Sequence, residues 1–399
     1  MKTILFVAEL GAGMGHAIPL LRIASALRAA LKAQGKEDFR AVYVLHDPHL
    51  IRSQLRHGDL ALSAPRPVAQ GEIRSHTASY AEILALAGFA RKTDLEAGLA
   101  TWDDIFALTA PSVLVADHSP LAVLAARGRI PTLVTGNAFN APPVNLKQYP
   151  ALLAHASAPP IQQSMLSIVN ETIRQRNGKE IAHLPQVMAG DARAVFMLPV
   201  FDPYGPLRDT PLFGTYETGL TPTPPPAAPS VFLYSHSNLP LAPKLVQAVV
   251  QTGLPVTAFM PGNESETTSF LKRQGVTMLS SAPALTDILP RVSVVVSHAG
   301  AGLSQAAYAS GRAQVVVPIH SESQMIARQI EKLGTGICFD PTHGDIDATA
   351  LGRAIGQVAT DETIAATTLT QARDLARLGL PAAPLRDTAQ IIISLLSKS

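Results

Sequence analysis

Residues 11–19 read GAGMGHAIP and follow a short apolar run, Ile4–Ala8. Residues 297–304 read SHAGAGLS and follow a second apolar run, Val292–Val296. Each pattern is typical of a strand, a glycine turn and a helix, and it presents backbone N–H groups at the helix N-terminus to an anion or a polar substrate. Two such turns, each with a histidine, predict two domains that share one active site.

The bulk properties of the chain limit its class. Its 399 residues exceed one ordinary core and predict two domains. A net charge of +2 without a basic run argues against a nucleic-acid partner. Cys338 is the only cysteine, which excludes an internal disulfide and a cysteine-rich metal site. The first apolar run is too short for a signal peptide, and no stretch approaches the roughly 18 apolar residues of a membrane span, so we expect a cytoplasmic protein.

Short apolar runs alternate with helical patterns in both halves of the chain. Strands that are apolar throughout and separated by helices predict a parallel sheet covered on both faces. The predicted strands of the first half are 4–8, 41–45, 113–116 and 132–135, with helices at 19–32, from about 49, and at 120–127. Those of the second half are 231–234, 256–260, 276–279, 292–296 and 313–317, with helices at 243–252, 303–310 and 323–333.

A proline run, TPTPPPAAP at residues 221–229, separates the halves and is typical of a stiff polyproline spacer. The predicted organisation is a first domain at 1–221, a linker at 222–229, a second domain at 230–382 and a terminal helix at 383–399. Residues 142–190 lack the strand rhythm and predict a helical insertion, which either forms a wall of a substrate pocket or only packs. The sequence leaves open which surface the terminal helix covers.

The motifs resemble those of the UDP-glycosyltransferase superfamily, nucleotide-sugar enzymes of the GT-B fold that include macrolide and plant natural-product transferases. The Gly-His-x-x-Pro turn of that family is matched by residues 15–19. Its donor box is matched by residues 298–307, followed by Gly311, Pro318 and an acidic residue at Glu322. The resemblance implies two Rossmann-like doubly wound domains facing an interdomain cleft. It also implies that the first of them, with the insertion, binds the acceptor and that the second binds the nucleotide sugar.

A base for the acceptor hydroxyl is the first requirement of sugar transfer. His16 is the candidate, because a histidine titrates near neutrality and the glycines before it leave it exposed at the end of a strand. Asp117 ends another apolar run and is the candidate partner that orients the imidazole. The alternatives are that His16 caps the following helix or binds water, and that Asp117 or Ser119 caps the helix that begins at Pro120.

A cradle for the departing diphosphate is the second requirement. The turn with His298, Gly300 and Gly302 precedes a helix whose N–H groups, around Gly302, Leu303 and Ser304, are placed to hold it. The helix dipole favours negative charge there, so no metal ion and no separate cofactor are expected. An ordinary structural turn is the alternative.

The resemblance implies further donor contacts. Ser237 corresponds to a loop that touches the phosphates, although the family has glycine where His236 stands. Glu322 stands at the acidic position of an acidic-Gln pair that holds the sugar, with helix capping as its alternative. Ser323 occupies the glutamine position, and the candidate glutamine, Gln324, lies one residue further on. One departure is Ala306, which stands where the family has a ribose-binding glutamate.

The predicted function is an inverting glycosyltransferase that uses a UDP or TDP sugar and a small, fairly apolar acceptor, with a lipid or peptide acceptor as a variant. A non-catalytic binding or helper protein is one alternative, favoured by Ala306. An enzyme like UDP-N-acetylglucosamine 2-epimerase is another, although the acidic cluster it requires is not evident. The sequence does not specify the nucleotide, the sugar, the acceptor or the oligomeric state.

Overall fold

The computed structural model describes residues 1–11, 13–65, 77–152, 161–262 and 265–398. The chain divides into two compact units, one formed by Met1–Tyr216 with Pro381–Ser399 and the other by Glu217–Leu380. Ala12 of the first glycine turn lies outside the described residues.

The first unit contains a six-stranded sheet of parallel strands in the order β3-β2-β1-β4-β5-β6. Its central strands are buried from end to end, which explains their uninterrupted apolar sequences. The strands are β1 (Thr3–Ala8), β2 (Arg40–Leu45), β3 (Leu60–Ser63), β4 (Val113–Asp117), β5 (Thr132–Gly136) and β6 (Ala192–Val195). The helices are α1 (Met14–Ala33), α2 (Tyr80–Leu84), α3 (Lys92–Thr109), α4 (Pro120–Ala126) and α5 (Gln162–Gln175).

The second unit repeats this architecture with the sheet order β12-β11-β10-β7-β8-β9. Its strands are β7 (Val231–Tyr234), β8 (Val256–Phe259), β9 (Thr277–Met278), β10 (Val294–Ser297), β11 (Ala313–Val316) and β12 (Gly336–Cys338). Its helices are α6 (Ala242–Gln251), α7 (Glu266–Arg273), α8 (Leu285–Ile288), α9 (Ala301–Ala309), α10 (Ser321–Lys332), α11 (Ala348–Thr360) and α12 (Glu362–Ala376).

The last helix, α13 (Pro384–Leu396), returns to the first unit. Its buried residues Ile392 and Leu395 join the apolar cluster that α1 forms against the sheet. Lys2 anchors its end, because the ammonium group donates to the carbonyl of Leu396 at 2.6 Å. The surface that the sequence left open is therefore α1 and the first sheet.

The proline run belongs to the second unit. Arg312 is fully buried and its guanidinium donates to the carbonyl of Pro224 at 3.2 Å and to the hydroxyl of Thr223. The sequence placed the linker at 222–229, whereas the compact units separate between Tyr216 and Glu217.

The predicted fold class, two doubly wound parallel-sheet units, is confirmed. The short strands β3, β6 and β12 were not predicted. The helix expected from about residue 49 is a 3-10 helix, Pro48–Gln54. The insertion expected at 142–190 is helical at α5 and in a 3-10 turn, Leu184–Met188, and its residues 153–160 lie outside the described part. No helix among the described residues is long and apolar enough to cross a bilayer.

In both sheets the order in which successive strands are added reverses beside the first strand. This switch point lies between β1 and β4 in the first sheet and between β7 and β10 in the second. In open parallel sheets, ligands bind outside the carboxyl ends of the strands at this switch point. Every predicted site residue of the two glycine turns follows one of these four strands.

Candidate functional site

The first unit brings His16 and Asp117 into contact. His16 lies in the first turn of α1, and Asp117 is the last residue of β4, whose carboxyl end is adjacent to that of β1. His16 Nδ1 and Asp117 Oδ2 are 3.1 Å apart, and their side chains are 17% and 2% exposed. The carboxylate therefore holds Nδ1 as the donor and leaves Nε2 as the basic nitrogen of the neutral ring.

Two glycines make room for this pair. A Cβ atom added at Gly11 would overlap the imidazole ring of His16. A Cβ atom added at Gly136, the last residue of β5, would overlap Oδ1 of Asp117, and Gly136 has φ +117°. The positions of both side chains thus depend on the absence of a side chain opposite them.

His118 is a site residue that the sequence analysis missed. It follows Asp117 with φ 46°, in the left-handed region that is uncommon for a residue with a side chain. Its ring centroid lies 5.7 Å from that of His16 and 5.8 Å from that of Tyr80. Burial, together with the charge of His16, lowers the pKa of His118 to about 3, so this imidazole stays neutral. The sequence signal was a histidine directly after the candidate aspartate.

Glu9 is a second residue that sequence reasoning did not single out. Its carboxylate accepts hydrogen bonds from Trp102 Nε1 at 2.9 Å and from the backbone N–H groups of Leu121 at 2.7 Å and Ala122 at 3.2 Å. Burial raises the pKa of Glu9 to about 8, although these hydrogen bonds lower it. Glu9 therefore caps α4, the role that had been the alternative for Asp117 and Ser119.

Ser119 supports the strand end instead of capping the helix. Its hydroxyl donates to the carbonyl of Asp117 at 2.8 Å and accepts the backbone N–H of Glu9 at 2.9 Å. These two hydrogen bonds connect the ends of β1 and β4, and so the segments that carry His16 and Asp117.

The loop after β5 is fixed by two arginines. Arg208 donates to the carbonyls of Ala138 at 3.0 Å and Ala141 at 3.1 Å, and it pairs with Asp202 at 2.6 Å. Arg193 donates to the carbonyls of Ala141 at 3.0 Å and Pro142 at 2.7 Å. The backbone beside Gly136, and thus beside Asp117, is held rigid by this arrangement.

We expect Arg208→Met to lower the free energy of unfolding by about 3–5 kcal/mol, because it leaves Asp202 buried without its counter-charge. Both side chains of the pair are 2% exposed. The matched control is Arg377→Met, since Arg377 pairs with Asp374 on the surface at 77% and 63% exposure. That change should cost less than about 1 kcal/mol. Equal losses in the two variants, measured by urea unfolding, would contradict the stabilising role of the buried pair between Arg208 and Asp202.

In the second unit the donor-box turn connects β10 to α9. Ala299 has φ 59°, and Gly300 is the N-cap of α9. A Cβ atom at Gly300 would lie 3.0 Å from Nε2 of His298, so glycine here allows the imidazole to lie close to the turn. His298 and the start of α9 therefore face the same end of the sheet.

The cradle differs from the predicted one by one residue. The helix begins at Ala301, which makes the first-turn N–H donors those of Ala301, Gly302 and Leu303. The N–H of Ser304 donates to the carbonyl of Gly300 at 3.0 Å, and the Ser304 side chain is fully buried. The assignment of Ser304 as a diphosphate contact is corrected for this reason.

The loop after β7 carries Ser237. Its N–H donates to the carbonyl of Pro261 at 3.2 Å, and a Cβ atom at Gly262, which has φ +128°, would overlap its hydroxyl. Ser237 thus lies where the loops that follow β7 and β8 meet.

The start of α10 is capped by His320, whose Nδ1 accepts the N–H of Ser323 at 3.3 Å. The capping alternative for Glu322 is therefore wrong, and Glu322 lies in the first turn. Gln324 is buried and its amide donates to the carboxylate of Asp340 at 3.3 and 3.4 Å. The amide nitrogen of Gln324 thus connects α10 to the segment after β12, and the assignment of Gln324 to the sugar stays a prediction.

Ala306 is fully buried in the apolar cluster under α9, with Phe232, Leu289 and Val295. The methyl group of Ala306 therefore contributes to the packing under α9 and offers no hydrogen-bond acceptor to a ligand. No group of three His, Cys, Asp or Glu side chains in the described part of the chain is arranged to hold a metal ion.

Solved structures of natural-product glycosyltransferases match the whole chain. The calicheamicin glycosyltransferase CalG4 has a TM-score of 0.66 and 18% identity, over 100% of this chain and 98% of its own. The spinosyn rhamnosyltransferase SpnG, complexed with spinosyn aglycone, has a TM-score of 0.61 and 15% identity, over 97% and 99%. VinC, in complex with dTDP, has a TM-score of 0.57 and 13% identity, over 100% of both chains.

Residues 244–385 match the family of the erythromycin biosynthesis protein CIII-like C-terminal domain. No curated protein sequence matches the chain. The resemblance inferred from the sequence motifs is confirmed in the fold of the whole chain and in the family of this segment. The protein thus has the GT-B fold of natural-product glycosyltransferases, and its residues 244–385 are similar to the EryCIII-like C-terminal domain.

Proposed function

We propose that this protein is an inverting glycosyltransferase that moves a sugar from a nucleoside-diphosphate donor to a hydroxyl of a small, fairly apolar acceptor. The contact between His16 Nδ1 and Asp117 Oδ2, at 3.1 Å, is the observation that carries the proposal. A carboxylate that holds one imidazole nitrogen makes the other a base of suitable strength near neutral pH.

In the proposed reaction, Nε2 of His16 removes the proton of the acceptor hydroxyl. The acceptor oxygen attacks the anomeric carbon as the bond to the diphosphate oxygen breaks, and the proton stays on the imidazole. Asp117 stabilises the imidazolium that forms, as the carboxylate of a catalytic triad does. Attack from the face opposite the leaving group inverts the anomeric centre.

We infer that the turn after β10 receives the diphosphate. Three N–H donors at the start of α9 and the positive end of its dipole favour the charge that builds up on the leaving group. The same charge is neutralised by a metal ion in other enzymes, so we propose that transfer requires none. Glu322, in the first turn of α10, is the proposed contact to the sugar, and Ser237, in the loop after β7, is the proposed contact to the phosphates.

The names of the similar structures agree with this proposal. VinC was solved with dTDP and SpnG with an aglycone, which correspond to the two substrate classes proposed here. The helper-protein alternative was favoured by Ala306, whose side chain lies in the core and provides no acceptor for ribose hydroxyls. A histidine paired with a buried carboxylate favours the enzyme instead, because a protein that performs no proton transfer has no need for such a dyad.

The test is a calorimetric titration with UDP, dTDP, GDP and ADP in the presence of EDTA. We expect micromolar binding of one nucleotide, followed by sugar transfer from the corresponding nucleotide sugar to phenolic or macrolactone acceptors, detected by mass spectrometry. Failure of all four nucleotides to bind would overturn the proposal, and a strict requirement for a divalent cation would overturn its metal-independent form.

A further inference from the structure

Three aromatic side chains gather at the switch point of the second sheet. Tyr234 ends β7, His236 follows it, and His298 follows β10. The ring centroids of His236 and His298 are 6.2 Å apart, and Tyr234 lies 5.4 Å from His298. Tyr234 Oη and His236 Nε2 are 3.4 Å apart. Two imidazoles therefore lie side by side at this sheet end, and one of them, His298, belongs to the turn to which the diphosphate is assigned above.

His236 has no role in the mechanism so far. It is half-buried, and it stands at a position where the family resemblance implies glycine. A half-buried imidazole loses part of its hydration. The 3.4 Å contact between His236 Nε2 and Tyr234 Oη is too long to be a strong hydrogen bond that compensates for this loss. An anion beside His236 would offset this desolvation cost, because imidazolium forms charge-assisted hydrogen bonds with phosphate oxygens.

The surroundings keep both rings neutral before a ligand arrives. Burial lowers the pKa of His236, and burial together with His320 and His236 lowers the pKa of His298 to about 4. The other titratable groups around the pair are Tyr234 on β7, whose pKa burial raises, and His320 at the start of α10, a helix whose first turn carries Glu322. Tyr234 therefore stays protonated and can donate to, or accept from, Nε2 of His236.

We propose that His236 and His298 together form a proton-linked binding site for the diphosphate group of the nucleotide. Binding takes one proton from the solvent onto the pair, and the resulting imidazolium pairs with the phosphate oxygens. The inference rests on the proposed function and adds His236 as a donor-binding residue of this particular chain.

The sign of the pH dependence follows from the charges. The bound diphosphate is an anion and raises the pKa of the imidazole next to it, so the complex holds more protons than the free protein near neutral pH. Affinity is then highest below neutrality and falls as the pH rises through the pKa of the complex. For one linked proton, the limit is a roughly tenfold loss of affinity per pH unit.

The experiment is calorimetry of the full chain with dTDP and UDP at pH 6.5, 7.5 and 8.5, with the titration at pH 7.5 carried out both in HEPES and in Tris. These buffers differ in ionisation enthalpy, so the difference in observed heat counts the protons taken up. We expect uptake of between half a proton and one proton at pH 7.5, with an affinity that falls about tenfold or more from pH 6.5 to 8.5.

The variants are His236→Gly and His236→Asn, and the control is His57→Gln, an exposed histidine of the other unit. Both His236 variants should bind more weakly at pH 6.5 and show little proton uptake, whereas the control should match the wild type. Thermal unfolding checks that the variants are folded. Nucleotide binding without proton uptake, or uptake that persists in both His236 variants, would overturn this inference alone. Absence of binding at every pH would overturn the proposed function as well.

Discussion

His16→Ala should lower kcat for sugar transfer by about 10²–10⁴-fold, which corresponds to about 3–5 kcal/mol of lost transition-state stabilisation. Nε2 of His16 is the basic nitrogen of a ring whose Nδ1 lies 3.1 Å from Asp117, and alanine provides no group that could take the acceptor proton. Nucleotide affinity should change by less than about twofold, because the proposed diphosphate cradle belongs to the second unit.

The variant to compare with His16→Ala is one in the hydrogen-bond partner of His16, Asp117. Asp117→Asn keeps the shape of the side chain but offers an amide in place of a carboxylate, which favours the wrong tautomer of His16 and loses the charge that stabilises the imidazolium. We expect it to lower kcat as well, and we expect the double variant to be no slower than His16→Ala alone, since the pair acts as one unit. Wild-type turnover in His16→Ala, or strictly additive losses in the double variant, would contradict the role of the dyad.

The sequence predicts the central strands of this fold well because they are buried on both faces. β1, β4 and β10 read as continuous apolar runs, and each lies within two residues of its predicted bounds. The edge strand β3 has one buried residue out of four, and β12 has three residues in all. Such strands carry neither a long apolar run nor a regular alternation, so pattern analysis has no signal for them.

The residues of the candidate site also fall into a group that the sequence predicts and a group that it does not. His16 and Asp117 each follow a recognisable strand, so their meeting could be expected from the rule that neighbouring parallel strands end at one edge. Glu9 also follows β1, but its partners Trp102 and Leu121 lie on helices far along the chain, and no local pattern encodes that pairing. The Ser304 assignment failed because α9 begins at Ala301, which moves the first-turn donors toward the N-terminus.

Gly11→Ala should lower kcat by roughly 100-fold while leaving the protein folded, because a displacement of about 1 Å at a catalytic group can cost that much. A Cβ atom at position 11 would overlap the ring of His16, so the imidazole has to move away from its contact with Asp117. The backbone at Gly11 is not in the left-handed region, so the methyl group itself is the cause of the expected loss.

The matched control lies four residues further along the same turn. A Cβ atom at Gly15 meets nothing within 4 Å, and Gly15 lies in the first turn of α1 without positive φ. Gly15→Ala should therefore keep kcat within about twofold and raise the free energy of unfolding by about 0.5–1 kcal/mol, since alanine loses less backbone entropy in a helix. Kinetics and urea unfolding of the two variants separate the explanations. If Gly11→Ala keeps wild-type kcat, catalysis does not depend on the position of the His16 ring beside Asp117. If both variants lose activity equally, the flexibility of the turn, and not the space beside His16, is what catalysis requires.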